Sequence, residues 1–238
     1  MISVCMATYN GAVYIKEQLE SILSQIGPED EIVISDDGST DATLEVIKSI
    51  GSPCIRIVQG PRMKSPSKNF ENALSYAKGD YIFLCDQDDV WQPNKVAVMS
   101  EALQRSACVV SDCQVVDARL NVMDSSFYHV VRKHEGRWYN LLVRNCYLGC
   151  CMAMRREVLD KALPFPDHIP MHDIWLGNVA AFYCSLQFIP DKLIAYRRHG
   201  KNASTTSDPS TSSLWQKLDY RYRIVAGLLS RIKHHYYK

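Results

Sequence analysis

The segment Asp86-Gln87-Asp88-Asp89 places three carboxylates within four residues. Negative charges this close repel one another, and the cluster costs stability unless a cation lies among them. Carboxylate oxygens suit Mg²⁺ or Mn²⁺, which typically bind one or two carboxylates together with the phosphates of a substrate. The cluster therefore predicts a divalent metal site. The alternative is a solvated acidic turn before the helix that Pro93 opens.

Two further polar clusters stand earlier in the chain, at Thr8-Tyr9-Asn10 and at Asp36-Asp37-Gly38-Ser39. A carboxylate at the end of a strand can accept hydrogen bonds from a base or a ribose. The second cluster is also typical of a β-to-α turn with Gly38 at positive φ. The two roles are compatible, because the turn would hold the carboxylate in place.

The elements that must position these clusters are short apolar runs that alternate with helical patterns. We expect strands at 2–7, 31–35, 54–58 and 81–85, and helices at 12–25, up to 50, at 67–77 and after 93. Ser39, Thr40 or Asp41 can cap the second helix. This alternation predicts βαβ units around a mainly parallel sheet. Ligands bind outside the carboxyl ends of such strands, so the three clusters are expected to converge on one crevice.

The second half of the chain is less regular. It predicts strands at 107–117, 146–154 and 186–196, and helices at 139–143, 174–183 and 214–238. The Ser/Thr-rich stretch 203–213 is typical of a flexible connection or a lid. Gly149 predicts either a close approach to a ligand or an ordinary irregularity of a buried strand.

Composition excludes several classes of function. The chain has 238 residues, 27 Lys or Arg, 26 Asp or Glu and a net charge of +1, so nothing suggests a nucleic-acid partner. Six of the basic residues follow residue 213, against Asp219 alone, which leaves residues 1–213 at −4. Nine cysteines without metal-site spacing indicate a reduced, cytoplasmic protein, and we expect no signal peptide and no membrane span. A Gly-x-Gly-x-x-Gly loop and a Gly-Lys-Ser/Thr loop are both missing, which disfavours nicotinamide chemistry and NTP hydrolysis.

Five segments in this order resemble the successive motifs of glycosyltransferase family 2, and the last two resemble its bacterial rhamnosyltransferase-like branch. They are 7–11, 36–41, 80–89, 171–176 and 196–202. The resemblance covers about residues 1–205. It implies an α/β protein of GT-A fold, with a Rossmann-like, mainly parallel sheet flanked by helices, a smaller mixed region on the acceptor side and a C-terminal helix. Residues 1–106 would bind the nucleotide sugar, 107–205 would face the acceptor, and 206–238 would form a flexible connection and a basic amphipathic helix.

The resemblance also implies roles for individual residues in an inverting transfer from a UDP- or dTDP-linked sugar to a saccharide acceptor. The nucleotide-sugar pocket would contain Tyr9 stacked on the base, Asp37 bonded to the base, Asp86 against the ribose or sugar, and Thr8, Asn10, Asp36, Lys68 and Arg198 in support. Asp88 and Asp89 would hold Mn²⁺ or Mg²⁺, with His199 approaching from the far side. The alternative for His199 is an ordinary surface histidine.

Asp173 resembles the catalytic base of these enzymes. An inverting transfer needs one carboxylate that takes the proton from the acceptor hydroxyl as this hydroxyl attacks the anomeric carbon. The alternative is that Asp173 only caps the helix expected at 174–183. Two other functions remain open at this point: a nucleotidyltransferase, and a nucleotide-sugar-binding protein without turnover.

The segment 214–238 interleaves aromatic and basic residues at helical spacing. A basic amphipathic helix of this kind can lie on an anionic membrane surface, which would suit an enzyme with a lipid-linked saccharide acceptor. We therefore expect a cytoplasmic protein with peripheral contact at the inner face of the membrane. The alternative is a helix that packs on the domain itself or on a partner chain.

Overall fold

The computed structural model describes residues 1–167, 169–200 and 213–236. The expected connection at 203–213 therefore lies, except for its last residue, outside the described residues. The remaining predictions for fold and site can be compared with the structure.

The first half of the chain forms the parallel part of the sheet. Its strands are β1 (Ile2–Thr8), β2 (Glu31–Asp36), β3 (Ile55–Gln59) and β4 (Tyr81–Asp86), which pair in the order β3-β2-β1-β4. The helices between them are α1 (Ile15–Leu23), α2 (Thr43–Ile50) and α3 (Pro66–Ser75). The central residues of β1 (3–6), β2 (32–35) and β4 (82–85) are fully buried, as expected for parallel strands covered on both faces. Every strand and helix predicted in this half is present.

The second half adds mixed pairing to the same sheet. The elements are β5 (Val90–Trp91), α4 (Lys95–Leu103), β6 (Cys108–Val116), β7 (Val122–Asp124), α5 (Phe127–Val131), α6 (Arg137–Leu142), β8 (Met152–Arg155), α7 (Arg156–Ala162), α8 (His172–Tyr183), β9 (Leu186–Arg197) and α9 (Leu214–Tyr236). The sheet order continues as β4-β8-β6-β9-β5, with β7 beside β6. Only the β6–β9 pair is parallel among these contacts.

The strand expected at 146–154 is wrong in its first part. A 3₁₀ turn at Gly149–Cys151 precedes the strand, which begins only at Met152. The apolar composition of the segment reflects burial in the core rather than pairing, since Leu148, Cys150 and Cys151 are all buried. The turn brings Gly149 against the beginning of α8, where the side chain of His172 occupies the space that a Cβ would need.

Two helix starts differ in detail from the predictions. The N-cap of α2 is Ala42, which makes no side-chain cap, so none of the three expected residues is the N-cap. Asp41 precedes it, and its carboxylate accepts a hydrogen bond from the backbone N–H of Thr43 at 3.0 Å. At α8 the N-cap is Met171, which makes no side-chain cap, and Asp173 lies in the first turn. The interpretation of Asp173 as the capping residue is therefore wrong.

The last helix, α9, packs on the domain through one side. Ile224 and Leu228 are buried, and a Cβ at Gly227 would lie 2.8 Å from the ring of Trp175. The hydroxyl of Tyr183 donates to the carbonyl of Leu228 at 2.5 Å. Packing on the domain thus accounts for one face of this helix. Among the described residues, no helix is both long and apolar enough to cross a bilayer.

Candidate functional site

The carboxyl ends of β1, β2 and β4 open onto a cleft of about 540 Å³. Its opposite wall is the 3₁₀ turn at Gly149 together with the first turn of α8. Side chains predicted from distant parts of the sequence come together here: the cleft is lined by Thr8, Tyr9, Asp37, Asp86, Asp88 and Asp173. The expected convergence on one crevice is therefore present in the structure.

On one side of the cleft, Asp36 shapes the turn after β2. Its carboxylate accepts hydrogen bonds from the backbone N–H groups of Gly38 (3.1 Å) and Ser39 (2.9 Å), and from the hydroxyl of Thr8 (3.2 Å). Gly38 has a φ of +89°, as the turn predicted. These hydrogen bonds engage the carboxylate of Asp36. Its neighbour Asp37 lines the cleft.

Asp37 is buried and accepts a hydrogen bond from the backbone N–H of Met63 at 3.2 Å. Tyr9 lies at the same end of the cleft with an exposed ring, and the ammonium of Lys64 is 5.8 Å from the centre of that ring. Asn10 stands beside the cleft, where its side-chain oxygen accepts a hydrogen bond from the N–H of Thr40 at 2.8 Å. This end offers an exposed aromatic face and a carboxylate, which together suit a planar base.

The acidic segment divides into two parts. Asp88 is half-buried, lines the cleft, and its Oδ2 is 2.8 Å from Nε2 of His199. His199 in turn stacks on Tyr14 with ring centres 4.8 Å apart. Asp89 is fully buried behind the cleft, where its Oδ1 accepts a hydrogen bond from the backbone N–H of Arg197 at 2.9 Å. The structure therefore brings Asp88 and His199 together and does not place Asp89 on the surface of the cleft.

Asp89 and Cys150, both buried, form a group with Asp86, which lines the cleft; the potential ligand atoms of the three residues all lie within 4.8 Å of one another. Oδ2 of Asp89 has no hydrogen-bond partner. Burial, together with Asp88 and Asp173, raises the pKa of Asp86 to about 8, and burial also raises the pKa of Asp89 well above its usual range. Such carboxylates hold a proton or a cation between them.

A buried lysine lies close behind this group. Lys95 is fully buried, its ammonium donates to the carbonyl of Cys150 at 2.7 Å, and it lies 4.2 Å from the ring centre of Trp91. Burial lowers the pKa of Lys95, whereas Asp89 and neighbouring thiols raise it. Lys95 thus links the acidic segment to the turn at Gly149. Trp91 is a packing residue, since it is buried against Phe83.

The opposite wall carries Asp173 and His172. Asp173 is half-buried, and its Oδ1 accepts a hydrogen bond from the N–H of Ile174 at 2.7 Å. Burial raises the pKa of Asp173 to about 6, against the opposing effect of backbone hydrogen bonds from Ile174 and Gly149. His172 is buried and stacked on Phe70 at 3.9 Å, and burial lowers its pKa to about 3, so its ring is neutral. A carboxylate with a pKa near 6 is suited to accept a proton at neutral pH.

Two predicted residues are not among those that line the cleft. The ammonium of Lys68 lies 2.9 Å from Glu71 and 3.8 Å from Asp167. Arg198 is half-buried and donates to the hydroxyl of Tyr196, which does line the cleft, at 3.4 Å. Their contact with the nucleotide sugar stays a prediction.

Arg197 stands in the motif segment 196–202, but its structural role was not predicted from the sequence. Its guanidinium donates to the carbonyls of Asp88 and Ala118, both at 2.7 Å, and pairs with Glu17 at 2.5 Å. Arg197 is buried and holds the acidic segment against β9. The signal available in the sequence was an arginine at the end of a long strand.

Sequence reasoning also missed part of the cleft wall. It is lined by the loop residues Lys64, Ser65 and Pro66 and by Phe70, Leu148, Met171 and Tyr196. Their types carry no chemical signature in the sequence. Ser65 is the N-cap of α3 and Pro66 is its first residue. The sequence could therefore predict a helix start here, but not a wall of the cleft.

Comparison with known proteins supplies a family match. The model of the family "Glycosyl transferase family 2" matches residues 3–163. Among relatives, the UDP-Glc:alpha-D-GlcNAc-diphosphoundecaprenol beta-1,3-glucosyltransferase WfgD of Escherichia coli is 25% identical over 227 residues, which cover 92% of this chain and 85% of that protein. The putative teichuronic acid biosynthesis glycosyltransferase TuaG of Bacillus subtilis is 26% identical over 182 residues, which cover 74% and 71%.

Solved structures share the fold. TarS 1–349 of S. aureus, in complex with UDP-GlcNAc, superposes with a TM-score of 0.71 at 20% identity, covering 96% of this chain and 66% of that one. Glucosyl-3-phosphoglycerate synthase of Mycobacterium tuberculosis, in complex with Mn²⁺, UDP and phosphoglyceric acid, gives a TM-score of 0.60 at 20% identity, covering 97% and 78%. The chain spans 60–66% of the TarS 1–349 chains. At this identity the likeness concerns the fold alone, and it confirms the expected GT-A fold.

Proposed function

This chain belongs to glycosyltransferase family 2 and is a glycosyltransferase, and we propose that it transfers one sugar from a nucleoside diphosphate sugar to a saccharide acceptor with inversion at the anomeric carbon. The observation that carries the proposal is the meeting of Asp37, Asp88 and Asp173 in one cleft, from three separate elements. Family membership removes the nucleotidyltransferase alternative.

The donor occupies the end of the cleft between Tyr9 and the acidic segment. The exposed ring of Tyr9 stacks on the base, and the carboxylate of Asp37 accepts hydrogen bonds from it. Asp86 faces the ribose or the sugar from the end of β4. Asp36 and Asn10 support the pocket through the turn contacts they make, rather than through the nucleotide itself.

The donor set fits a divalent metal. Asp88 and His199 offer a carboxylate oxygen and an imidazole nitrogen 2.8 Å apart, and the unpartnered Oδ2 of Asp89 indicates a nearby position that a cation would stabilise. Asp88 and His199 would hold Mn²⁺ or Mg²⁺, with Asp86 and Asp89 adding negative charge behind them. When bound, the ion would neutralise the charge of the departing diphosphate. Arg197 keeps the acidic segment in place for this purpose.

Asp173 acts as the general base. Its carboxylate takes the proton of the acceptor hydroxyl while the hydroxyl oxygen forms a bond to the anomeric carbon and the bond from that carbon to the diphosphate breaks. With a pKa of about 6, Asp173 is mostly ionised at pH 7. The neutral ring of His172 and the absence of a side chain at Gly149 leave Asp173 facing the cleft.

The substrates follow from the relatives. WfgD is named for a UDP-linked donor and a diphosphoundecaprenol-linked acceptor, and TuaG is a putative glycosyltransferase of teichuronic acid biosynthesis. We therefore assign a UDP-sugar as the donor, with a dTDP-sugar as the alternative, and a bacterial surface saccharide on a lipid carrier as the acceptor. Nine free thiols suit the reducing cytoplasm, where we place the reaction.

A thermal-shift screen of nucleoside diphosphates and their sugars, with and without Mn²⁺, tests the donor class. At a concentration near 100 times Kd, a ligand stabilises the fold by about 2.7 kcal/mol, which raises Tm by roughly 5–10 °C for a chain of this length. We expect UDP with Mn²⁺ to give the largest shift, and Asp37→Asn to reduce it. Equal shifts for all bases, or none, would contradict the assignment. The anomeric configuration of the product, measured by NMR, then tests inversion.

A further inference from the structure

The outward face of α9 carries an apolar stripe that nothing in the described structure covers. Trp215, Leu218, Tyr222 and Leu229 are 81%, 47%, 71% and 56% exposed. At about 100° per residue, these four positions fall within an arc of about 60° on the helix. The buried residues Ile224 and Leu228 lie on the other side. Two faces of α9 are thus apolar, and only one of them packs on the domain.

The neighbouring helix α6 extends this surface. Trp138, Leu142 and Val143 are 58%, 50% and 56% exposed. The guanidinium of Arg221 on α9 donates to the carbonyl of Val143 at 2.7 Å, so the two helices lie side by side. We call the apolar stripe of α9 together with the three exposed apolar residues at α6 the α6/α9 patch; its members are Trp138, Leu142, Val143, Trp215, Leu218, Tyr222 and Leu229.

The charge of the surrounding segments is strongly positive. Residues 132–144 and 213–231 together contain eight Lys or Arg and two acidic residues, a net charge of +6. Because the whole chain has a net charge of +1, the remainder carries −5. Arg132, Arg137 and Arg144 are exposed around the α6 part of the patch. A binding partner that complements this surface must therefore carry both negative charge and apolar groups.

A second copy of the chain does not provide that complement. A twofold dimer formed through the α6/α9 patch would place the same positive segments against each other, which opposes association. Tryptophan and tyrosine side chains in the middle of a basic surface match the boundary between lipid headgroups and acyl chains, where an aromatic ring is half in water and half in hydrocarbon.

We propose that the α6/α9 patch docks the enzyme on an anionic lipid surface, with the apolar stripe of α9 lying in the interface and the basic side chains near the headgroups. This inference does not depend on the identity of the donor or on the catalytic roles proposed above.

Cosedimentation of the full chain with vesicles tests the proposal. We expect binding to phosphatidylcholine vesicles that contain about one third phosphatidylglycerol, and at least about tenfold weaker binding to pure phosphatidylcholine or at high salt. The paired substitutions Trp215→Ser/Tyr222→Ser and Leu142→Ser/Val143→Ser should each weaken binding to the anionic vesicles by about tenfold or more. A matched control is Val122→Ser/Met123→Ser, which removes two apolar residues of similar exposure (55% and 65%) on β7 and should leave binding unchanged.

An unchanged thermal shift with UDP and Mn²⁺ shows that each variant is folded and binds its donor. The proposal is overturned if the wild-type chain binds neither vesicle, or if both α6/α9 variants bind as the wild type does. Light scattering tests whether a second copy of the chain occupies the patch. If the wild type is a dimer and Trp215→Ser/Tyr222→Ser is a monomer, the patch is a dimer interface and the proposal is wrong.

Discussion

The pH dependence of transfer reports directly on the environment of Asp173. Burial disfavours the charged carboxylate and raises its pKa from 3.8 to about 6. A general base must be ionised, so the rate rises with pH and levels off above the pKa. About one tenth of Asp173 is ionised at pH 5 and about nine tenths at pH 7, so kcat/KM should increase roughly tenfold between these values. An unperturbed aspartate would be almost fully ionised at pH 5 already, and its rate would hardly change.

The assay is the release of nucleoside diphosphate, followed at saturating Mn²⁺ between pH 5 and 7.5. The Asp173→Asn variant serves as the control, because its residual rate should fall by about 10²–10⁴-fold and lose the inflection near pH 6. A wild-type profile without an inflection between pH 5 and 7 would refute the reasoning about burial. An Asp173→Asn variant with nearly full activity would refute the assignment of the base.

Two further substitutions test other parts of the site, and Asp173→Asn also tests the effect of burial on stability. Gly149→Ala would put a Cβ 2.8 Å from Nε2 of His172. Steady-state kinetics should show that kcat falls by about 10²-fold while UDP affinity is unchanged. The control is Gly27→Ala, where the atom nearest to the new Cβ is 3.7 Å away, and it should be neutral. Lys95→Met removes a buried cation and leaves the buried carbonyl of Cys150 without its donor, so urea denaturation should show a loss of about 2–4 kcal/mol. An equally stable variant would contradict a stabilising role for this hydrogen bond. Asp173→Asn relieves the cost of burying an ionised carboxylate and should raise the unfolding free energy of the unliganded protein at pH 7 by about 1–3 kcal/mol, with the gain disappearing near pH 4.

The parallel half of the fold was predictable because local and long-range signals agree there. Apolar runs short enough for strands alternate with amphipathic helices, and the polar clusters stand where the strands end. The second half offered weaker signals. β5 and β7 contain only two and three residues, and α5 and α7 only five and seven, which is too short for a periodic pattern.

The candidate site was predictable in composition and less so in orientation. The sequence shows that Asp86, Asp88 and Asp89 are clustered, but adjacent residues of a turn point in different directions. Asp89 turns inward because the backbone of Arg197 supplies a donor there, and that contact joins positions 108 residues apart. No local pattern could reveal it.

The sequence also predicted the role of the C-terminal helix α9 only in part. Its sequence predicted an amphipathic element that either packs on the domain or contacts a membrane. In the structure, Ile224 and Leu228 pack on the domain while Trp215 and Tyr222 stay exposed. Packing on the domain therefore accounts for one face of the helix, and membrane contact of the other face stays a prediction.

The central claim is that this cleft binds a nucleoside diphosphate sugar through a divalent ion held by Asp88 and His199. Calorimetric titration of UDP into the wild-type chain, Asp88→Asn and Asp173→Asn, each with and without Mn²⁺, tests it most directly. We predict that Mn²⁺ strengthens UDP binding at least about tenfold in the wild type and in Asp173→Asn, and about twofold or less in Asp88→Asn. UDP binding that is independent of Mn²⁺ in the wild type, or equally strengthened by Mn²⁺ in Asp88→Asn, would contradict the claim.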